Sequence, residues 1–99
     1  MGKMKEIYNK VQNLPEGSFI YKNQKKVNGR NGDMYYLFFN DGMRSYRTCI
    51  DVSYRNYQKW AKLIKNIKRG DLVKGLRVKS KGMIDADSFP KYAGNIYNL

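Results

Sequence analysis

The apolar residues near the start of the chain have the spacing of an amphipathic helix. Met4, Ile7, Val11 and Leu14 recur at intervals of three or four and share one helical face. Pro15-Glu16-Gly17 follows and is typical of a helix end. We therefore predict a helix over residues 3–14.

Residues 17–52 have the patterns of three consecutive strands. Strand formers are frequent over residues 19–27, and residues 28–33 combine two Gly with two Asn, as in a hairpin loop. Residues 34–39 are apolar throughout, and residues 43–52 alternate between apolar and polar side chains after Asn40-Asp41-Gly42. The second and third strands are therefore predicted to form a hairpin.

A second helix is predicted from Ser53, a suitable N-cap, to Arg69, with Gly70 as its C-terminal stop. The apolar arc of this helix is expected to face the core and contains Tyr57, Trp60, Ala61, Ile64 and Ile67. The opposite arc is basic and contains Arg55, Lys59, Lys62 and Arg69. A solvated helix face and a phosphate-binding face both fit this basic arc.

The rest of the chain predicts two more strands. Residues 71–79 form strand four, residues 80–82 a loop, and residues 83–89 a weaker strand five that ends at Pro90. The tail from residue 91 to residue 99 has no clear pattern. Because no repeat or linker divides the chain, residues 1–99 are expected to form one domain.

Charge and aromatic content indicate a polyanionic partner. Twenty Lys and Arg oppose eight Asp and Glu, which leaves a net charge of +12 and a pI near 9.9. Residues 53–82 hold ten of the basic groups, whereas the aromatic hairpin over residues 29–52 is neutral. Aromatic residues make up 14% of the chain, and nine of them are Tyr. Flat rings among cations suit unpaired bases, although Tyr also fills strands.

Other classes of protein fit the sequence less well. Cys49 is the one cysteine and His is absent, so we expect neither an internal disulfide nor a Cys/His zinc site. Asp85 and Asp87 are the one close acidic pair and have no further carboxylate within sequence reach, so a metal-dependent nuclease is not expected. We therefore expect no enzyme activity and no cofactor. Because no signal peptide or membrane-spanning stretch is evident, the cytoplasm is the expected location.

The order of elements resembles a known fold. Three strands, a helix and two strands are the order of the five-stranded OB-fold barrel, and the resemblance implies such a barrel over about residues 17–90, after the N-terminal helix. The junction between the helix and strand four resembles that of OB-fold single-strand-binding proteins, in the run Lys68-Arg69-Gly70-Asp71-Leu72-Val73-Lys74-Gly75. The Asn-, Lys- and Tyr-rich composition is similar to that of phage or mobile-element proteins, including the small OB-fold partner subunits of primase-polymerases encoded by staphylococcal cassette elements. The acidic tail of housekeeping single-strand-binding proteins has no counterpart in residues 95–99.

The resemblance implies a ligand across strands two and three, between the loops that follow strands one and four. A two-residue turn at Asp41-Gly42 would place Tyr36 and Phe38 outward, where they could stack on bases, whereas a three-residue turn would exchange the two sides. Tyr21 and Tyr92 are further stacking candidates. The predicted phosphate-binding residues are Lys22, Lys25, Lys26, Arg30, Arg44, Arg47, Lys79 and Lys81.

The expected function is non-catalytic, largely sequence-independent binding of single-stranded DNA in replication or recombination. RNA binding fits the same features and stays open. The alternative is an accessory subunit that interacts with a replication protein, such as a primase, polymerase or helicase, because exposed Phe and Tyr also serve protein interfaces.

Overall fold

A computed structural model describes residue 14, residues 16–30 and residues 32–98. The helix predicted over residues 3–14 lies outside the described residues, apart from Leu14. The described elements are, in chain order, β1 (Ser18–Gly29), β2 (Gly32–Asn40), β3 (Ser45–Asp51), α1 (Tyr57–Asn66), β4 (Asp71–Lys74), β5 (Lys91–Asn95) and a 3-10 turn (Ile96–Asn98). The chain is thus mostly β with one described helix, as the strand patterns predicted.

All five strands form one antiparallel sheet in the order β3-β2-β1-β4-β5. The long strand β1 holds the sheet together, because it pairs with β4 over Ser18 to Ile20 and with β2 from Ile20 onward. A bulge between Tyr21 and Asn23 shifts the register of β1 against β2. In this open sheet β3 and β5 are the two edges.

The helix α1 covers one face of the sheet and supplies much of the core. Trp60 and Ile64 pack with Leu37 and Ile50 in the main hydrophobic cluster. The Trp60 side chain is fully buried, and its indole N–H donates to the carbonyl of Ala86 at 2.9 Å. Burial of such side chains stabilises the fold by about 1.5–3 kcal/mol each. The apolar arc of the helix is therefore core, as predicted.

The helix is shorter than its sequence pattern predicted. It begins at Tyr57 and ends at Asn66, rather than extending from Ser53 to Arg69. The Asp51 carboxylate accepts hydrogen bonds from the backbone N–H and the hydroxyl of Ser53, so the chain turns there before the helix begins. At the other end Ile67 is extended, with ψ 138°.

Strands four and five also differ from the prediction. Strand β4 ends at Lys74 because Gly75 has φ +93°, and a Cβ there would lie 2.8 Å from the carbonyl oxygen of Phe89. Residues 83–89 are not a regular strand: Met83 and Ile84 form isolated bridges, to Arg47 and Val78 respectively. The fifth strand is Lys91–Asn95, in the tail that had no clear pattern.

The hairpin of β2 and β3 confirms which side chains point inward. Its loop has four residues, since Asn40 pairs with Ser45, and not the two that were expected. Two and four are both even, so the side chains keep the predicted sides: Leu37 and Phe39 are buried, and Phe38 points the other way. Only the cross-strand partners shift, by two residues.

The Asp41 carboxylate holds this loop. It accepts hydrogen bonds from the backbone N–H groups of Met43 and Arg44 and from the Tyr46 hydroxyl. Desolvation opposes ionisation of this carboxyl, but the hydrogen bonds outweigh it and lower the pKa of Asp41. A charged Asp41 therefore favours the longer loop over a tight Asp-Gly turn.

Candidate nucleic-acid interface

The face of β1, β2 and β3 that points away from α1, here called the outer face, carries several rows of side chains, and two neighbouring rows hold its rings and cations. Opposed residues in antiparallel strands share a face, with Cβ atoms about 4.5–5.5 Å apart. One row contains Asn23, Phe38 and Arg47, and the next contains Lys25, Tyr36 and Cys49. Two partly exposed rings thus lie side by side on β2 with a cation next to each.

A loop from the other end of the chain borders this face. The Arg47 N–H donates to the Gly82 carbonyl at 2.9 Å, and the Ile84 N–H donates to the Arg47 carbonyl at 2.8 Å. These bonds hold residues 80–84 against β3 and bring Lys81 close to Phe38. A concavity of about 220 Å³ results, lined by Phe38, Ser45, Tyr46, Arg47, Lys81 and Gly82.

The turn that presents Lys81 has an uncommon backbone. Lys81 has φ 47° and Gly82 has φ 77°, and the Met83 N–H donates to the Ser80 carbonyl at 2.9 Å. Positive φ at both central residues is the geometry of a type I′ turn, which favours Asn or Gly. A Lys in this position strains the backbone, so its presence lowers the stability of the fold.

The cations of the outer face are not neutralised by the acids of the described chain. Among residues 14, 16–30 and 32–98, the two ion pairs are Lys26 with Asp33 at 3.2 Å and Arg77 with Asp85. The Arg47 Nε lies 3.3 Å from the Met83 sulfur, which orients the guanidinium without neutralising it. The charges of Lys25, Arg47 and Lys81 are therefore available to an anionic ligand.

Three of the residues proposed from the sequence lie elsewhere. Tyr21 is only 4% exposed and packs edge-on against Phe39, and burial raises the pKa of its hydroxyl, so it cannot stack on a base. Lys26 is on the core side of β1, paired with Asp33. Tyr92 is exposed, but it pairs with Val73 on the core side of the sheet and lies beside α1.

The other proposed cations are not members of these two rows. Lys79 flanks the Lys81 turn, because its N–H donates to the Met83 carbonyl at 2.8 Å. Arg44 is exposed in the loop between β2 and β3, and Arg30 follows β1 at the end of its hairpin with β2. Lys22 lies at the β1 bulge, in a separate concavity with Arg69 and Tyr97.

Two further residues of these two rows were not proposed from the sequence. Cys49 could have been found, because strand alternation placed it on the same side as Arg47. Asn23 could not, because the bulge at Lys22 reverses the alternation along β1.

The close acidic pair holds loops in place. Asp85 accepts hydrogen bonds from the backbone N–H of Asp87 and from the Arg77 guanidinium, and both lower its pKa. Asp87 accepts from the Tyr54 hydroxyl and the Asn56 amide. In the part of the chain that the structure describes, no three or more His, Cys, Asp or Glu side chains come together as metal ligands would.

Comparison with known proteins gives no match, whether to a family model, to a curated protein or to a solved structure. None of the described helices has the length and apolar character that a membrane crossing requires.

Proposed function

We propose that this chain is a non-catalytic domain that binds single-stranded DNA across the outer face, with little dependence on sequence. The observation that carries this proposal is the pair of neighbouring rings, Tyr36 and Phe38, on an open sheet face with Lys25, Arg47 and Lys81 around them. Rings stack on any base, and cations contact any phosphate, so the arrangement suits a strand of arbitrary sequence.

The geometry favours a single strand over a duplex. Stacking on Phe38 or Tyr36 requires a base whose face is free, and each stacked base contributes about 1–3 kcal/mol. A duplex offers this face only at its ends. It would keep the phosphate contacts alone and lose the stacking contribution, so its binding would depend more steeply on salt.

The short bridges of residues 83 and 84 support an OB-like, partly open barrel. Met83 bridges Arg47 in parallel, and Ile84 bridges Val78 in antiparallel fashion, so this segment lies between β3 and the chain that continues from β4. We take it as a rudimentary closing strand. The Lys81 turn then corresponds to the loop between the last two barrel strands, which borders the ligand in OB folds.

The test is a fluorescence anisotropy titration of labelled oligo-dT at several salt concentrations. Phe38→Ala is expected to weaken binding about 5- to 150-fold, the equivalent of one lost stacked base. Tyr92→Ala is the matched control, because it removes an exposed ring from the opposite face of the sheet and should leave binding unchanged.

A second measurement uses the thiol of Cys49, the one cysteine of the chain. Because Cys49 lies in the Tyr36 row, bound oligo-dT should slow its alkylation in proportion to occupancy. Equal losses of oligo-dT affinity for Phe38→Ala and Tyr92→Ala would contradict the proposed binding face. An unchanged rate of Cys49 alkylation at saturating oligo-dT would contradict it as well. Absence of binding up to about 100 µM would contradict the function itself, since non-specific sites alone reach that range.

The biological setting follows from the same proposal. A single-strand-binding domain acts in DNA replication or recombination, in the cytoplasm, and the sequence composition points to a mobile genetic element. Competition between oligo-dT and oligo-U decides between DNA and RNA as the preferred ligand.

A further inference from the structure

A groove on the opposite side of the molecule has a different chemistry from the outer face. It lies between α1 and the start of β5, with a volume of about 540 Å³, and is called the helix groove here. This volume is within the range of about 300–1,000 Å³ that is common for ligand sites. Its members include Lys59, Lys62, Leu63, Ile67, Lys68 and Tyr92.

The floor of the helix groove is aliphatic and its rim is basic. Leu63, Ile67 and Pro90 form the apolar part, and three lysines of α1 and the segment after it surround them. The one acid of the lining is Asp71, which is buried and already accepts hydrogen bonds from the Lys68 N–H and the Asn95 amide. The rim is therefore positively charged, and in the described part of the chain none of its lysines forms an ion pair.

A nucleic acid fits this chemistry poorly. The ring of Phe89 is covered by the Lys59 ammonium, 4.2 Å from its centroid, which leaves Tyr92 as the one ring of the groove that a base could reach. Base stacking needs rings, whereas an aliphatic floor accommodates the aliphatic side chains of a peptide. Charge complementarity with the lysine rim requires that peptide to be acidic.

We propose that the helix groove binds an acidic peptide segment of a partner protein. Leucine-like side chains of the segment would pack on Leu63 and Ile67, and its carboxylates would pair with Lys59, Lys62 and Lys68. The site shares no lining residue with the outer-face concavity. The proposal therefore places the peptide and a single strand on separate surfaces, which leaves room for both to bind at once.

The experiment titrates the whole chain into a short fluorescein-labelled peptide of Glu, Asp and Leu, and into the same peptide with every Leu replaced by Ser. Binding should be saturable for the first peptide and at least roughly tenfold weaker for the second. The double variant Lys62→Glu with Lys68→Glu should lose roughly tenfold or more in affinity. Lys65→Glu reverses a charge on the same helix but outside the lining of the groove, and its loss of affinity should be clearly smaller than that of the double variant.

Amide NMR shifts of the unmodified protein provide a readout that does not depend on the folding of any variant. The proposal expects peptide-induced shifts at Leu63, Ile67 and Tyr92, with oligo-dT affinity unchanged when the peptide is bound. Equal binding of the Leu and Ser peptides would overturn the proposal, because charge alone would then explain the binding. An equal loss of affinity for Lys65→Glu and for the double variant would overturn it for the same reason. Displacement of the peptide by oligo-dT would also overturn the proposal, because the helix groove would then be part of the DNA-binding surface.

Discussion

One substitution in the strained turn at Lys81 is expected to affect the stability of the fold and the affinity for DNA in opposite directions. Lys81 has φ 47° and Gly82 has φ 77°, and at the first of these two positions Asn is among the preferred residues. Lys81→Asn therefore relieves the backbone and removes a cation at the same time. We expect the two effects to move in opposite directions, one raising the stability of the fold and the other lowering affinity for DNA.

The magnitudes follow from the geometry of the turn. A non-Gly residue in the left-handed region costs about 1 kcal/mol or somewhat more, and Asn avoids part of that cost. A gain of about 0.5–1 kcal/mol in the free energy of unfolding corresponds to a rise of roughly 2–8 °C in Tm for a domain of this size. Loss of one phosphate contact lowers the salt slope of single-strand binding by about 0.7.

Thermal unfolding followed by circular dichroism measures the first effect, and oligo-dT titrations at several salt concentrations measure the second. Lys65→Gln is the control, because it removes an exposed cation of α1 away from the outer face. A lower Tm for Lys81→Asn would refute the reasoning about strain. An unchanged salt slope, or the same change with Lys65→Gln, would refute the phosphate contact.

Three other substitutions test how the core and loops are held. Trp60→Phe leaves the Ala86 carbonyl without its donor and should lower the free energy of unfolding by about 1–3 kcal/mol in urea denaturation, with an unchanged value contradicting the hydrogen bond. Gly75→Ala forces a Cβ against the Phe89 carbonyl at positive φ and should cost about 1–3 kcal/mol in the same assay; a neutral result would contradict the tight approach. Hydrogen bonding lowers the pKa of Asp85 in the folded chain, so the ionised carboxylate stabilises the fold above the unfolded pKa of about 4, and this stabilisation is lost as the pH falls further. Asp85→Asn should therefore flatten the acid side of a curve of Tm against pH. An unaltered curve would count against this role.

The inward and outward sides of the hairpin were predictable because alternation depends only on whether the loop length is even. Leu37 and Phe39 were placed in the core, and Phe38 outside, although the loop is two residues longer than expected. The longer loop depends on the hydrogen bonds to Asp41, a local competition that hydrophobic patterns do not record.

Errors in the prediction have equally specific causes. Tyr21 is buried rather than available for stacking because it packs against Phe39, a tertiary contact that strand propensity does not reveal. The bulge at Lys22 reverses the alternation of β1, which moves Lys25 to the outer face and Lys26 to the core side. Strand four ends early because Gly75 turns the chain at a positive φ. The sequence pattern of a strand does not show which φ a glycine within it adopts.

The most basic stretch of the chain serves two separate surfaces. Residues 53–82 hold ten cations, of which Lys59, Lys62 and Lys68 surround the helix groove, whereas Lys81 borders the outer face. Interactions between exposed charges are largely screened beyond about 8 Å at physiological salt, so cations of one surface contribute little to binding at the other. The net charge of +12 therefore overstates the number of phosphates that a bound strand can contact. The salt slope of oligo-dT binding should count the outer-face cations alone, and charge reversal in the helix groove should leave that slope unchanged.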